Sequence, residues 1–520
     1  MKSARSLASI VNKVGLTRQA VTVVLAACCA SLVGASAKAA PATVAVEVDV
    51  AHPLGALNPD LVGLGWHVGG APLAAVEPLA PHFIRIDASL QDVSVSKGAP
   101  LLLAPLLARI AAVRGIGAEP LVILSYVPAW LGAPNAAGRD PTRVKPADLD
   151  AWEQVVHGVV RALATAPKPA RWFEAWNEPD DPLFWQDTPV AWVDTVERTG
   201  RAVAAVESET GLDLHFAGPA TALPDPIFLM PFLQRFRDPA LPLDAVSWHY
   251  YGNYPFFGPD GAEFPVTAPI QPVLGQENPL ASPVAFGSQV GVMRSWVDAG
   301  LAGSGRPTPS LLLDEWNLSA AGFDHRHDTN EGAAFASGVL AEMQAAHLDA
   351  SAFFRANDTQ GVVGEHGIVK VGGARKPTWW TFWLWRQMAA TEVAAVGGSR
   401  LDGLWVVATK DSARVTVVLS SFSASSPQAR VIDLSLAGVS APPIGATVRR
   451  IDAEHPSAEL DEPLALDGAR ARVALPPQAV AFVTFRLAAA GVRATTVPRT
   501  DRVLPASGGG SLSPAIPLVA

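Results

Sequence analysis

Cysteine is almost absent from this chain. Only Cys28 and Cys29 occur in 520 residues, side by side near the N-terminus. A disulfide framework and a thiolate metal cage are therefore excluded from the body of the protein, as is a thiol nucleophile once that segment is removed. Runs of one charge are missing too. Asp and Glu outnumber Lys and Arg by 48 to 39, a net charge of −9, and no basic stretch offers a surface to nucleic acid. No Gly-rich dinucleotide fingerprint or P-loop follows any candidate strand, which removes the nucleotide-binding folds. Tyrosine is scarce, four against 15 tryptophans, and three of the four (Tyr250, Tyr251, Tyr254) crowd one short stretch. What the chain has in quantity is apolar: 49% hydrophobic and 17% charged residues describe a large buried core. A chain of this length divides into one large domain and a smaller one.

An apolar run from about Ala20 to Val33 follows Lys2, Arg5, Lys13 and Arg18, and small residues, Ala35-Ser36-Ala37-Lys38-Ala39-Ala40, come after it. Charged, apolar, then small is the order of a secretory signal, and the run is too short to span a bilayer. Residues 1–40 are read as a removed signal, cut after Ala37, Ala39 or Ala40. The expected location is outside the cytoplasm: periplasmic, secreted or at the cell surface. Leu25-Ala26-Ala27-Cys28 is similar to a lipoprotein signal in which Cys28 becomes the lipidated first residue; contact with a membrane is expected only in that case.

Thr43–Val50 alternates as a strand and is expected to pair with a C-terminal β domain, within a segment 41–54. From residue 55 to 395 a rhythm repeats: a buried strand, a Gly- or Pro-rich turn, a stretch of helical spacing. Candidate strands are Leu61–Trp66, His82–Asp87, Pro120–Tyr126, Arg171–Trp176, Leu214–Gly218, Ala245–His249, Ser310–Glu315 and Ala350–Arg355. Eight strands alternating with helices predict an α/β fold, a (β/α)8 TIM barrel, with an accessory C-terminal β-sandwich domain over 396–488. The Pro-, Ser- and Gly-rich end, 489–520, is expected to be a disordered tail. Trp379, Trp380, Trp383 and Trp385 recur at helical spacing and are read as packing of the last barrel helix against the sandwich.

Two strands end in a glutamate. Arg171-Trp172-Phe173-Glu174-Ala175-Trp176 runs into Asn177-Glu178-Pro179, where proline cannot continue a ladder. Ser310-Leu311-Leu312-Leu313-Asp314 runs into Glu315-Trp316-Asn317. As the fourth and seventh strands of a barrel they place Glu178 and Glu315 across its mouth, where barrel active sites lie. Two carboxylates flanking a bond are what glycoside hydrolysis requires, one giving a proton to the leaving oxygen and one attacking the anomeric carbon. Glu178 is assigned as acid/base and Glu315 as nucleophile. Burial among Phe173 and Trp176, together with the second carboxylate, is expected to raise the pKa of the donor.

The stretches Trp172–Asp180 and Leu313–Asn317 resemble those of glycoside hydrolase family 39, which includes β-xylosidases and α-L-iduronidases, within the clan of retaining (β/α)8 glycosidases. The resemblance extends over residues 45–487. It implies that Asn177 hydrogen-bonds the sugar 2-hydroxyl and that His249 contacts a sugar hydroxyl. It further implies that Tyr250 or Tyr251 orients the nucleophile, that His67 binds the glycone, and that Arg85 neutralises Glu315. The eighth strand ends Phe353-Phe354-Arg355 instead of in an aromatic platform, so Trp316 or Trp130 is the candidate for stacking on the sugar, and Arg355 is a candidate for meeting an acidic one. Arg85 has a second reading as a bridge to Asp87.

The reading is an exported retaining glycoside hydrolase, xylosidase-like or a related exo-glycosidase. Its partner is an oligosaccharide or polysaccharide substrate, and no cofactor or metal is expected. Asp324-His325-Arg326-His327-Asp328 is read as lining the cleft, and the loop Tyr251–Pro283 as walling one end of it. An endo-acting exopolysaccharide hydrolase or a transglycosylase would use the same two glutamates; a non-catalytic carbohydrate-binding surface protein would need neither.

Overall fold

The strands that form the barrel are buried on both faces, and their sequences are mostly apolar rather than alternating, as parallel strands covered by helices require. The computed structural model describes residues 41–67, 72–132, 138–254 and 282–488. The expected signal with Cys28, the tail 489–520 and most of the loop Tyr251–Pro283 lie outside the described residues.

After β1 (Ala42–Ala56) come the barrel strands β2 (Gly63–Gly65), β3 (Phe83–Asp87), β4 (Glu119–Leu124), β5 (Trp172–Ala175), β6 (His215–Thr221), β7 (Ala245–Tyr251), β8 (Ser310–Asn317) and β9 (Ala350–Phe353). They close in sequence order, and all pairs are parallel. This is the expected barrel. At the narrow β2, Gly63 is required by space: a Cβ there would sit 2.4 Å from the Ser351 carbonyl oxygen. The helices around it are α1 (Ala104–Gly115), α2 (Leu149–Ala164), α3 (Pro189–Thr210), α4 (Pro226–Arg235), α5 (Val284–Leu301), α6 (Asn330–Ala345) and α7 (Pro377–Gln387). Side-chain caps fix the starts of α2, α3, α4 and α6. Asp148 accepts from the Asp150 and Ala151 amides at the head of α2, and Thr188 with Pro189 opens α3, which stops at Gly211 with φ +66°.

The inside of the barrel is layered. Phe83, Leu121, Trp172, Ala217, Ala245, Leu312, Ala350 and Ala352 form a separate apolar cluster near the N-terminal ends of the strands. Two residues further along β3, β5 and β8 the same face carries Arg85, Glu174 and Asp314, because side chains alternate along a strand. The lumen therefore turns from apolar to charged on the way to the mouth.

The C-terminal β domain continues with β10 (Thr391–Val396), β11 (Leu404–Lys410), β12 (Arg414–Ser421), β13 (Arg430–Ala437), β14 (Gly445–Ile451), β15 (Glu462–Leu464), β16 (Leu466–Asp467), β17 (Arg470–Leu475) and β18 (Ala479–Arg486). Its ten strands run as one ladder, β15-β14-β18-β12-β11-β10-β1-β13-β17-β16. The N-terminal strand sits inside that ladder, between β10 and β13. Both halves of the ladder feed one core, in which Val46 and Val48 of β1 meet Val417 of β12, Leu434 of β13 and Val483 of β18. The other face of β11, β12 and β18 (Trp405, Val418, Phe482) joins the barrel core. Between the two lies α6, buried at every residue from Gly332 to Gln344; its Ala- and Gly-rich sequence lets it be covered on all sides. Within it Glu342 accepts from Trp405 Nε1 at 2.8 Å, and Ser337 accepts from Trp385 Nε1 at 3.1 Å. The α7 tryptophans pack as expected: Trp379, Trp380 and Trp385 are buried in the barrel core, and Arg449 of β14 lies over the Trp383 ring.

Candidate active site

The end of β5 is held in an unusual backbone. Trp176 (φ +70°) and Glu178 (φ +45°) both occupy the left-handed region on either side of Asn177, a conformation that costs a non-glycine residue about 1–3 kcal/mol. Packing holds it. Trp176 is buried edge-on against Tyr126 and Trp185 and donates from Nε1 to the Phe184 carbonyl at 3.1 Å. The Glu178 amide donates to the Ala220 carbonyl at 2.8 Å. The turn aims both Asn177 and Glu178 at the mouth.

Glu315 reaches the same place through a bulge in β8. Trp248 pairs with Leu313 but His249 pairs with Glu315, so Asp314 is an extra residue in the ladder. The insertion lets two consecutive side chains, Asp314 and Glu315, face the lumen. Arg85 of β3 meets both. Its Nη1 donates to Glu315 Oε2 at 2.8 Å, its Nη2 to Asn177 Oδ1 at 3.0 Å, and its Nε to Glu174 Oε2 at 2.6 Å while lying 2.9 Å from Asp314 Oδ2. Arg85 thus lies against Glu315 rather than Asp87, with which it makes no ion pair among the described residues. Tyr251 OH donates to the other oxygen of Glu315, Oε1, at 2.5 Å.

Glu178 lies in contrast to Glu315. Its one close side-chain partner among the described residues is His249, with Nδ1 at 2.8 Å from Oε1. Burial, and then the nearby Asp181 carboxylate, push its pKa up to about 8, against the opposing pull of Arg85. Burial likewise holds His249 down at about 4, so the imidazole is neutral at pH 7. Oxygens of Glu178 and Glu315 and a His249 nitrogen lie within 4.8 Å of one another. That span would suit a cation, but Arg85 already supplies the positive charge beside Glu315, and Glu178 keeps its proton at neutral pH.

Two expected substrate contacts are corrected. Tyr250 has no exposed surface and points out of the barrel, its ring against Phe286; on β7 it alternates with His249 and Tyr251, which point in. Trp316 is fully buried on the same outer side, donating to Ser351 Oγ and packed against Phe353 and Phe382, so it offers no face to a sugar. Trp130 is half-buried on the loop after β4, its Nε1 donating to the Ser94 carbonyl. His249 is also fully buried and meets Glu178 rather than open space. His67 stays exposed at the end of β2, and Arg355 donates from Nη1 to its Nδ1 at 3.0 Å. Arg355 is further engaged by Glu365 at 3.2 Å, whose charge leaves little for an acidic sugar. The 324–328 segment is held by ion pairs, Asp324 with Arg326 inside it and Asp328 with Lys376 at the head of α7.

The sequence reading overlooked Glu174 and Asp314 beneath Arg85, and Tyr126 and His366 beside the mouth. For Glu174 a signal existed: a charged residue in the middle of an apolar strand asks for a buried partner. His366 packs on Tyr251 and Phe354 from a loop whose path no local pattern announces.

No family model matches the chain. A β-xylosidase of Geobacillus stearothermophilus is 25% identical over 292 residues, 53% of this chain and 52% of that protein. The chain thus aligns with about half the length of that curated relative. Among solved structures, a monomeric β-xylosidase from Caulobacter crescentus CB15 superposes with a TM-score of 0.66 at 19% identity, covering 85% of this chain and 99% of that one. The GH39 enzyme from Xanthomonas axonopodis pv. citri gives 0.64 at 19% identity, over 86% and 98%. The chain therefore has the fold of the glycoside hydrolase family 39 enzymes, barrel and β domain together, and this is the family that its two strand-end motifs resemble.

Proposed function

We propose that this protein is a retaining glycoside hydrolase, exported and acting as an exo-glycosidase on β-xyloside-type substrates. The observation that carries the reading is the unequal pair at the mouth. One carboxyl is buried and keeps its proton to about pH 8; the other is gripped by Arg85 and Tyr251. In the first step the Glu178 proton passes to the glycosidic oxygen as its bond to the anomeric carbon breaks, and Glu315 bonds to that carbon. In the second, Glu178, now a carboxylate, takes a proton from water; the water oxygen bonds to the anomeric carbon and Glu315 leaves. One oxygen of Glu315 lies within 4.8 Å of one oxygen of Glu178, nearer the roughly 5–5.5 Å spacing of retaining pairs than the roughly 6.5–9.5 Å of inverting ones, which supports retention. Asn177, its carbonyl oxygen fixed by Arg85, keeps its amide nitrogen to donate to a hydroxyl beside the reacting carbon.

The xyloside preference is drawn from the β-xylosidase names of the relatives, and export from the charged, apolar, small-residue N-terminus. The test is a panel of aryl glycosides and polysaccharides given to the mature chain, with Glu315→Gln beside it. Release from an aryl xyloside with retained anomeric configuration, read by proton NMR and lost in the variant, is the expected result. Shortening of a polysaccharide without aryl glycoside turnover would move the reading to endo action. Binding without any cleavage would favour the carbohydrate-binding alternative.

A further inference from the structure

Three carboxyl groups surround the single Arg85 guanidinium. Glu174, Asp314 and Glu315 lie 2.6, 2.9 and 2.8 Å from its nitrogens, and Glu174 and Asp314 have no exposed side-chain surface. Two fully buried carboxylates beside a partly buried third would put more negative charge around one cation than it balances, in an interior with no water to solvate the excess. The atoms say which group gives way. Arg85 Nε carries one hydrogen and gives it to Glu174 Oε2. Among the described residues neither oxygen of Asp314 accepts a hydrogen bond, although both are buried. A buried carboxylate with no donor is among the most costly arrangements available to a protein, whereas a neutral acid in that position is itself a donor.

We propose that Asp314 is held as a neutral carboxylic acid, a positioning residue that donates its proton to the Glu174 carboxylate and leaves the charge of Arg85 to Glu315. The groups that face it are Arg85 on β3, Glu174 on β5, His249 on β7 with Nε2 at 3.8 Å, and Glu315 on its own strand. Of these, Glu174 and Glu315 oppose its ionisation, and burial does so more strongly; Arg85 alone favours it. Arg85 offsets burial at Glu174 and holds that group below the usual carboxylate range, so the proton stays with Asp314. The bulge in β8 exists for both side chains at once: it turns a nucleophile and its silent neighbour toward the same guanidinium.

The proton can be read without any substrate. Infrared difference spectra of the full chain at pH 7, wild type minus Asp314→Asn, should show the loss of a protonated-carboxyl C=O band and no loss of carboxylate bands. Loss of a carboxylate band instead would overturn the proposal. If Asp314→Asn fails to fold, Glu174→Gln is the second reading. Burial, the largest influence on Asp314, and Glu315 keep it neutral without Glu174, so the difference should show one carboxylate band lost and no acid band lost; an acid band lost with the carboxylates unchanged would place the proton on Glu174 and overturn the proposal. The kinetic consequence rests on the hydrolase reading. Asp314→Asn, still neutral and still a donor, keeps the pH limits of kcat/KM and stays within about tenfold of wild type, while Asp314→Ala loses activity. A shift of the acidic limit by about one pH unit or more in Asp314→Asn would show that an ionised Asp314 had been acting on Glu315. Failure to find any turnover would sink the hydrolase reading and leave the infrared result to decide this one.

Discussion

Glu178 holds its proton because the surroundings of its carboxyl group are dry and acidic, and this has two measurable consequences. On the proposed hydrolase reading the protonated form is the active one, so kcat/KM should fall as pH rises through about 8, and the Glu178→Gln variant should lose that limit together with about 10²–10⁴-fold of its rate on substrates with a poor leaving group. Stability follows the same proton. The folded chain binds it more tightly than the unfolded chain, whose carboxyl titrates near 4.5. This contribution is therefore complete below about pH 4.5 and is lost as pH rises toward 8. Glu178→Gln cannot ionise, so its melting temperature relative to wild type should climb between pH 5 and pH 8; a difference independent of pH would contradict the assigned shift. His249 has the opposite sign. Its folded pKa, lowered to about 4, gives stability that is present above the ordinary histidine value of about 6.5 and is lost as pH falls toward 4.

At the scale of an element, β7 and β8 decide which side chains face the mouth of the barrel. In β7 the side chains alternate, so Tyr251 points in with His249 while Tyr250 packs outward. Tyr251→Phe removes a hydrogen bond to a carboxylate, of the kind that contributes about 1.5–3 kcal/mol, and should lower kcat by roughly 10–100-fold. Tyr250→Phe should leave kcat within a few-fold of wild type, and a parallel comparison of steady-state rates distinguishes the two. Sequence alone left these tyrosines as alternatives, because adjacent residues at a strand end can both be assigned to the mouth until the register is known. In β8 the alternation fails. The bulge at Asp314 is invisible in Leu311-Leu312-Leu313-Asp314-Glu315, since a bulge is a property of two strands in register and not of one. For the same reason Trp316 looked available to a sugar and is instead packed against Phe353 and Phe382.

Across the whole molecule, the barrel and the β domain share α6 as a common interior element. Glu342 on α6 bonds Trp405 Nε1 and pairs with Arg400 of the β domain. Glu342→Ala leaves a buried indole N–H unpaired and should cost about 1–3 kcal/mol, seen as a lower melting temperature with kcat unchanged. The strand β1 is bound more deeply still, lying between β10 and β13 in the ten-strand ladder. Deleting residues 42–56 would expose two long strand edges and open the core around Val417 and Leu434; such a chain should be recovered insoluble, and a soluble, cooperatively melting product would refute this role for β1.

Sequence by itself determined the features that depend on local pattern. Buried strands alternating with amphipathic helices specify a barrel, because a parallel sheet has to be covered on both faces. Two strands that stop at glutamates specify where its chemistry lies, because strand ends open at the mouth. Tertiary structure alone decided which neighbours act together. The grouping of Glu174 and Asp314 under Arg85, the choice of Tyr251 over Tyr250, and the engagement of Arg355 by Glu365 depend on register, on a bulge and on loop paths. The first two join strands distant in the chain and the third depends on how a loop folds back on itself, and no local run of amino acids encodes either.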